Sequence, residues 1–384
     1  NLERSDHYYK KKSPSHLACI QPNLDVTSVD VEKVISTKDV LVCDEEEDWV
    51  KVTGYEAVIS KAVKRINGRV NCSFTEILRV DDSETKEGVT TTVTDIFILT
   101  TTDFYSVSCF AENGKTWKKV VVGVRNDQTL QLERGWHLVP GDAVKLNVLM
   151  LGFDSLSQIS FMRTLPKTFR FLTQELKTNV LQGYNIVGDG TPQALIPILT
   201  GKTELELPET RKRMGKEAQF VNVFPFIWND FRNNGYVTLF SEDQPHEGCF
   251  NYRLKGFDAP PTDHYMRPFY THMFPTYHKH RNYCFSSTPR HKVFLKYLTD
   301  FFDVYETKPK FAFAFHSELS HNDQNLISIA DDDILDTLKY LQKRGHLNQT
   351  VLVLFSDHGN RFSSTRSTQQ GKQEERLPFF SVTL

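Results

Sequence analysis

The sequence predicts an α/β protein, in which a parallel-rich sheet is sandwiched between helices and a small antiparallel β domain precedes it. Residues 45–144 contain short runs of β-branched and aromatic residues separated by Gly, Asn and Asp, a pattern typical of antiparallel strands. Residues 145–384 alternate continuous apolar runs with amphipathic stretches, which indicates parallel strands covered by helices on both faces. Residues 1–44 begin polar and rich in Tyr and Lys, which predicts an extended or partly disordered segment.

Four apolar runs within residues 145–384 predict the strands of the sheet. They are KLNVLMLGFDS, GYVTLFSED, KPKFAFAFHSEL and TVLVLFSDHG. Helical patterns lie between them, near 157–176 and in FVNVFPFIWNDFRNN, PRHKVFLKYLTDFFDVYE and DDDILDTLKYLQKRGHL. The last pattern begins with three Asp residues, which suit the positive end of a helix dipole. The chain stops inside an apparent strand, so we expect the domain to continue beyond Leu384.

Composition narrows the classes of function. The 384 residues are 39% hydrophobic and 24% charged, which is typical of a folded chain of two or three domains. The net charge of −2 gives no electrostatic reason to expect a nucleic acid partner. No apolar run approaches the roughly 18 residues that cross a bilayer, so no membrane span is predicted within this chain.

The cysteines and sequons predict an extracellular or secretory-lumen protein, or the ectodomain of an anchored one. Six cysteines occur without a CxxC pair, and glycosylation sequons begin at Asn71 and Asn348. Free buried thiols in a cytosolic protein are the alternative. Proximity in sequence suggests the following disulfides, of which the last is our main prediction: Cys19–Cys43, Cys72–Cys109 and Cys249–Cys284.

Three of the predicted strands end in side chains that could bind a metal. The first ends at Asp154, another runs into His316 and His321, and the last ends at Asp357 and His358. Ligands of open α/β sheets bind beyond the carboxyl ends of the strands, so we expect these side chains to converge. Each ending alone has a structural alternative, since Asp often caps a helix. His316 could equally be a packed core histidine.

A fourth candidate element is the segment GDGTPQALIPILTG, residues 188–201. Its Gly-Asp-Gly loop leads to Thr191 at the start of a helical pattern. There, backbone N–H groups and the helix dipole favour a tetrahedral anion. A simple N-cap role for Thr191 is the structural alternative.

These residues resemble the alkaline phosphatase and sulfatase superfamily. Sulfatases carry their nucleophile nine residues before the Thr of a Leu-Thr-Gly ending, and nucleotide pyrophosphatases and phosphoethanolamine transferases keep a Thr at that offset. Here Thr191 stands nine residues before Thr200 of ILTG. SDHG resembles the metal-binding Asp-His of the superfamily, and LGFDS resembles its first-strand Asp. More narrowly, HSELSHND and SDHGNRF…QGKQEERLPF resemble an uncharacterised animal family, domain of unknown function 229.

The resemblance implies a metal-dependent hydrolase of phosphate or sulfate esters. The candidate substrates include esters on a glycan or a lipid. Thr191 would be the covalent nucleophile, because a Thr hydroxyl needs a metal to be activated. Four residues would hold one divalent ion, Zn²⁺ above all with Mn²⁺ or Ca²⁺ as alternatives: Asp154, Thr191, Asp357 and His358. His321, with His316 or Glu318, would bind a second ion or protonate the leaving oxygen.

The sequence departs from the two-metal pattern. Residues 359–384 contain no further His, so either a ligand lies beyond this chain or one metal suffices. In the second case Lys372 and Arg376 are candidates to supply positive charge, and a solvated loop is their structural alternative. Two other functions stay open, a transferase that moves a phospho-headgroup onto glycan or lipid, and an inactive ectodomain that binds glycan or protein.

Overall fold

The structure, a computed structural model, describes residues 22–36, 38, 40–277 and 283–384. Its largest sheet has seven strands, five of them joined by parallel pairing, and this confirms the predicted α/β class. The strands of this sheet are β8 (Asn147–Phe153), β9 (Asn179–Val180), β10 (Val237–Glu242), β11 (His264–Tyr265), β14 (Lys310–His316), β15 (Thr350–Ser356) and β16 (Phe380–Thr383). Their order across the sheet is β11-β10-β14-β8-β15-β16-β9, and β16 runs antiparallel to both of its neighbours.

The register of the three central strands places the predicted site residues at one edge. β8 lies between β14 and β15, and Phe153 is opposite both His316 and Ser356. Residues 148–153 and 351–356 therefore pair directly, which agrees with the single parallel-rich sheet predicted for residues 145–384. Because the strands are parallel and in register, the residues that follow their last paired positions emerge side by side.

Helices cover both faces of the sheet, which explains why its strands are apolar throughout. The helices are α1 (Val29–Glu32), α2 (Lys61–Asn67), α3 (Gln128–Glu133), α4 (Gln158–Thr164), α5 (Pro166–Arg170), α6 (Thr191–Thr200), α7 (Ile227–Asn233), α8 (Arg267–Tyr277), α9 (Arg290–Val304), α10 (Asp331–Lys343) and α11 (Gln369–Glu374). One face packs on α4, α5, α9 and α10, and the other packs on α6 and α7. Among the described residues, no helix combines the length and the apolar character needed to cross a bilayer.

Small antiparallel sheets precede the large sheet, as predicted. Their strands are β1 (Val50–Thr53), β2 (Glu56–Ile59), β3 (Val70–Arg79), β4 (Thr85–Val93), β5 (Ile96–Ile98), β6 (Phe104–Ala111) and β7 (Thr116–Val122). One sheet has the order β1-β2-β5 and the other β4-β3-β6-β7. A hairpin of β12 (Cys284–Phe285) and β13 (Thr288–Pro289) forms a further pair. The predicted boundaries at residues 44 and 144 stay predictions.

A buried carboxylate joins the antiparallel sheets to the large domain. Asp103, 3% exposed, accepts hydrogen bonds from the Tyr297 hydroxyl at 2.7 Å and from His264 Nδ1 at 2.8 Å. The backbone N–H of Arg125 donates to it at 2.9 Å. Burial alone would raise the pKa of Asp103, but the charges of His264 and Arg125 hold it well below its usual range. The two parts of the chain thus share a polar contact that is costly to leave unsatisfied.

The cysteine pairing differs from the prediction in two of three pairs. Cys72 and Cys109 form a disulfide, as predicted, because they are opposite each other on β3 and β6. Cys284 bonds to Cys43 rather than to Cys249, so the predicted Cys249–Cys284 and Cys19–Cys43 pairs are wrong. Cys249 is buried and free in an apolar core, whereas Cys284 lies on the β12–β13 hairpin beside the N-terminal segment. Cys19 lies outside the described residues.

Candidate metal centre

Three of the predicted metal ligands form one buried cluster at the carboxyl edge of the sheet. Asp154, Asp357 and His358 each offer a ligand atom, and these atoms lie within 4.8 Å of one another. The three residues are at most 3% exposed. Asp154 directly follows β8, and the other two follow β15, so the parallel register brings them together.

Local hydrogen bonds leave one oxygen of Asp357 free. Its Oδ1 accepts from the backbone N–H of Ser155 at 3.0 Å and from that of His358 at 2.8 Å. Ser155 has a φ of +62°, an uncommon conformation for a residue with a side chain. Within the described part of the chain, Oδ2 of Asp357 is buried and accepts no hydrogen bond.

The imidazole of His358 presents a second free acceptor. Its Nδ1 lies 2.9 Å from the carbonyl oxygen of Gly359, which can only accept, so Nδ1 carries the proton. When the ring is neutral, this arrangement leaves a lone pair on Nε2, which lies 3.1 Å from Asp357 Oδ2. Neither atom has a hydrogen-bond partner among the described residues. With the ring neutral, one cation bound between these two buried acceptors would satisfy both.

Asp154 adds negative charge to the same cluster. Its Oδ1 accepts a hydrogen bond from the Ser155 hydroxyl at 2.8 Å. Burial, followed by the charge of Asp357, raises the pKa of Asp154 to about 6, while His358 and His321 act in the opposite direction. Two carboxylates are therefore buried together, and within the cluster only His358 could carry a positive charge to balance them.

The donor set fits the divalent metal that the sequence predicts. Two carboxylates and one imidazole are ligands of Zn²⁺, and a ligating histidine usually donates its other ring N–H to a carbonyl or carboxylate. His358 has this arrangement through Gly359. The identity of the metal stays a prediction.

Thr191 begins helix α6 and does not cap it. The N-cap is Gly190, whose φ of +124° and ψ of +160° suit only glycine, and a Cβ there would lie 2.9 Å from Gln193 Oε1. Thr191 is the first helical residue, so the simple N-cap role is excluded. Its loop adjoins the loop of His358, because Arg361 Nη1 lies 3.0 Å from Asp189 Oδ1. Convergence of the Thr191 hydroxyl with the cluster stays a prediction.

His316 faces away from the cluster. On β14 its side chain lies on the same face of the sheet as Ala312 and Ala314, and its ring is 6.4 Å from that of Phe153. Nε2 lies 3.2 Å from Asp243 Oδ2, and burial lowers the pKa of His316 to about 3. The ring lines a cavity of about 10 Å³ on this helical face. The structure thus does not bring His316 to the three ligands, and its metal-binding role stays without geometric support.

His321 lies closer to the cluster and is partly exposed. Its side chain is 19% exposed, and Nδ1 is 3.1 Å from Asn322 Oδ1 and 3.6 Å from Glu247 Oε2. Its charge is one of the causes that lower the pKa of Asp154. Asn360 holds its loop in place by donating from Nδ2 to the His321 carbonyl at 3.2 Å.

The other charged candidates lie elsewhere. Glu318 pairs with Arg290, and burial raises the pKa of Glu318 to about 7. Lys372 and Arg376 are exposed on and just after α11. Sequence reasoning missed Arg361, although it stands three residues after His358 in a quoted motif. It also missed Ser155, whose backbone conformation leaves no mark in the sequence.

The chain matches the family described as protein of unknown function DUF229 over residues 31–384. No curated protein matches this sequence.

Several solved structures are similar at low identity. The phosphonate monoester hydrolase of Silicibacter pomeroyi is 16% identical with a TM-score of 0.42, over 62% of this chain and 67% of that protein. A protein in the alkaline phosphatase superfamily from Vibrio parahaemolyticus is 14% identical with a TM-score of 0.43, over 63% and 60%. The lipoteichoic acid synthase LtaP of Listeria monocytogenes is 13% identical with a TM-score of 0.40, over 63% and 68%. The chain thus spans about two thirds or less of the length of these proteins.

The family match covers most of the sequence, including every residue of the candidate centre. It confirms the resemblance that the HSELSHND and SDHGNRF segments indicated. This chain belongs to the DUF229 family.

Proposed function

We propose that this protein is a metal-dependent hydrolase of phosphate or sulfate esters, with Thr191 as its covalent nucleophile. The observation that carries the proposal is a pair of buried acceptors 3.1 Å apart, Asp357 Oδ2 and His358 Nε2, for which the described part of the chain supplies no hydrogen-bond donor. Such a pair is costly without a cation. The loop before Thr191 is ion-paired to the loop that follows His358, which supports a shared site.

The residues have separable roles in this proposal. Asp154, Asp357 and His358 would hold the ion, which when bound would lower the pKa of the Thr191 hydroxyl and polarise the ester. Thr191 Oγ loses its proton to water and forms a bond to phosphorus or sulfur as the bond to the leaving oxygen breaks. The first backbone N–H groups of α6 stabilise the charge on the transferred group.

His321 is the proposed proton donor to the leaving oxygen. It is the partly exposed histidine of the site, so it can contact a leaving group at the mouth and exchange protons with water. Water then attacks the Thr191 ester, the bond from Oγ breaks, and phosphate or sulfate is released. His316 has no part in this scheme because its ring lies on the face of the sheet opposite α6.

Turnover of three aryl substrates tests the proposal: an aryl phosphate, an aryl phosphodiester and an aryl sulfate. Thr191→Ala should keep the fold and lose activity by several orders of magnitude, and Thr191→Ser should retain part of it. Thr200→Ala is the matched control, since Thr200 stands at the other end of the same helix and bonds to the Ile196 carbonyl. Near wild-type turnover by Thr191→Ala would remove Thr191 from the mechanism and favour the binding-ectodomain alternative.

We also propose that the protein functions outside the cytosol. The support is the two disulfides, together with exposed side chains at both sequon residues, Asn71 and Asn348. A fall in apparent mass after glycosidase treatment of protein secreted from cultured cells would test this. An unchanged mass would contradict glycosylation at these residues.

A further inference from the structure

One arginine lies beside the start of the nucleophile helix. Nη1 of Arg361 is 3.0 Å from Asp189 Oδ1, and it would be 3.8 Å from a Cβ placed on Gly190, the residue before Thr191. Its guanidinium carbon lies 5.6 Å from the ring centroid of Phe362, whose ring is in turn 5.1 Å from that of His321. Arg361 therefore lies on the side of the site where His321 and the start of α6 meet.

The hydrogen-bonding capacity of Arg361 is only partly used. Its side chain is 24% exposed, and Nε is buried without a hydrogen-bond partner among the described residues. A buried guanidinium N–H left unsatisfied is unfavourable, and a planar guanidinium is suited to binding an oxyanion through two parallel hydrogen bonds. The guanidinium thus has hydrogen-bonding capacity beyond its contact with Asp189, and its side chain is partly open to solvent.

The present partner of Arg361 is easily replaced. The side chain of Asp189 is 77% exposed, and exposed ion pairs contribute little to stability because water competes for both charges. A tetrahedral oxyanion held by the same site would compete on better terms, since it would be partly desolvated and fixed by the start of α6.

We propose that Arg361 binds the phosphoryl oxygens of a phosphate monoester, and that Asp189 occupies the guanidinium until this substrate displaces it. The inference rests on the proposed function and names its substrate class. A phosphate monoester carries close to two negative charges at neutral pH, whereas a phosphodiester or a sulfate ester carries one. A cation beside the start of α6, in addition to the ion of the metal cluster, favours the more highly charged group.

Calorimetric titration with inorganic phosphate, and with inorganic sulfate as a second anion, tests the binding part. Arg361→Ala should weaken phosphate binding about tenfold to a hundredfold, as expected for the loss of hydrogen bonds from a charged donor. Asp189→Asn should tighten phosphate binding by only about two- to fivefold, because an exposed ion pair contributes little free energy. Arg344→Ala is the matched control. Arg344 forms an exposed ion pair with Asp303, and it lies between α10 and β15, at the amino ends of the strands.

Turnover tests the specificity part. Arg361→Ala should lower kcat/KM for the aryl phosphate more than for the aryl phosphodiester or the aryl sulfate, and Arg361→Lys should restore only part of it. Equal losses on all three substrates would overturn the preference for monoesters.

The phosphate titrations test the role of Arg361 even if Thr191 is not the nucleophile. Unchanged phosphate affinity in Arg361→Ala, weaker binding by Asp189→Asn, or no phosphate binding by either the wild type or Asp189→Asn would each overturn the role of Arg361. Activity that survives Thr191→Ala would instead remove the nucleophile and leave the phosphate titrations to judge Arg361.

Discussion

Replacing His358 by Ala should abolish most of the stabilisation that a divalent ion gives this protein. Among the described residues, His358 Nε2 and Asp357 Oδ2 are buried without hydrogen-bond partners, at a cost of about 1–3 kcal/mol for each. Zn²⁺ at about a hundred times its dissociation constant should stabilise the wild type by about 2.7 kcal/mol. With about 2.1 cal/mol/K of unfolding entropy per residue, the melting temperature of 384 residues rises by about 3 °C.

The variant removes the only imidazole of the cluster. Disrupting even an outer-shell partner of a metal ligand lowers metal affinity by up to about a hundredfold. A loss of that size would raise the dissociation constant to about the Zn²⁺ concentration used. The stabilisation then falls to about 0.4 kcal/mol, well under 1 °C.

Thermal unfolding after chelation, with and without added Zn²⁺, measures both values, and elemental analysis gives the stoichiometry. His137→Ala is the matched control, because His137 is an exposed histidine outside the cluster and should leave the shift unchanged. A His358→Ala protein with the full wild-type shift, or a wild type that does not respond to the ion, would refute the reasoning.

Two further predictions concern the scaffold. Asp103→Ala should lower the free energy of unfolding by about 3–5 kcal/mol in urea titrations, because it leaves several buried donors without their acceptor. Asp95→Ala, which removes an exposed carboxylate paired with a lysine, should cost less than about 1 kcal/mol, and equal losses would contradict the structure. Cys284→Ser opens a link across 241 residues, and the chain-entropy relation gives a loss of about 5 kcal/mol. Mass spectrometry of unreduced peptides should find Cys284 linked to the N-terminal segment and Cys249 free, whereas a Cys249–Cys284 peptide would show that the structure is wrong here.

Much of the site could be predicted because it depends on local pattern and one topological rule. Apolar runs that end in Asp154 or in Asp357 and His358 indicate buried strands with polar side chains at their ends. Parallel strands place those ends at one edge, so their proximity follows once the sheet is assumed. The helix that begins at Thr191 could be predicted for the same reason, from a glycine-rich loop followed by an apolar helical pattern.

The α/β class, the order of the strands along the chain and the three residues of the candidate centre could thus be predicted from the sequence. Only the tertiary structure decided the direction of His316, the partner of Cys284 and the position of Arg361. The face on which His316 lies depends on how side chains alternate along β14 and on which helices cover each face. The other two depend on contacts between segments 172 and 241 residues apart. Side chains so far apart leave no periodicity in the sequence, because their proximity is set by how the whole chain packs.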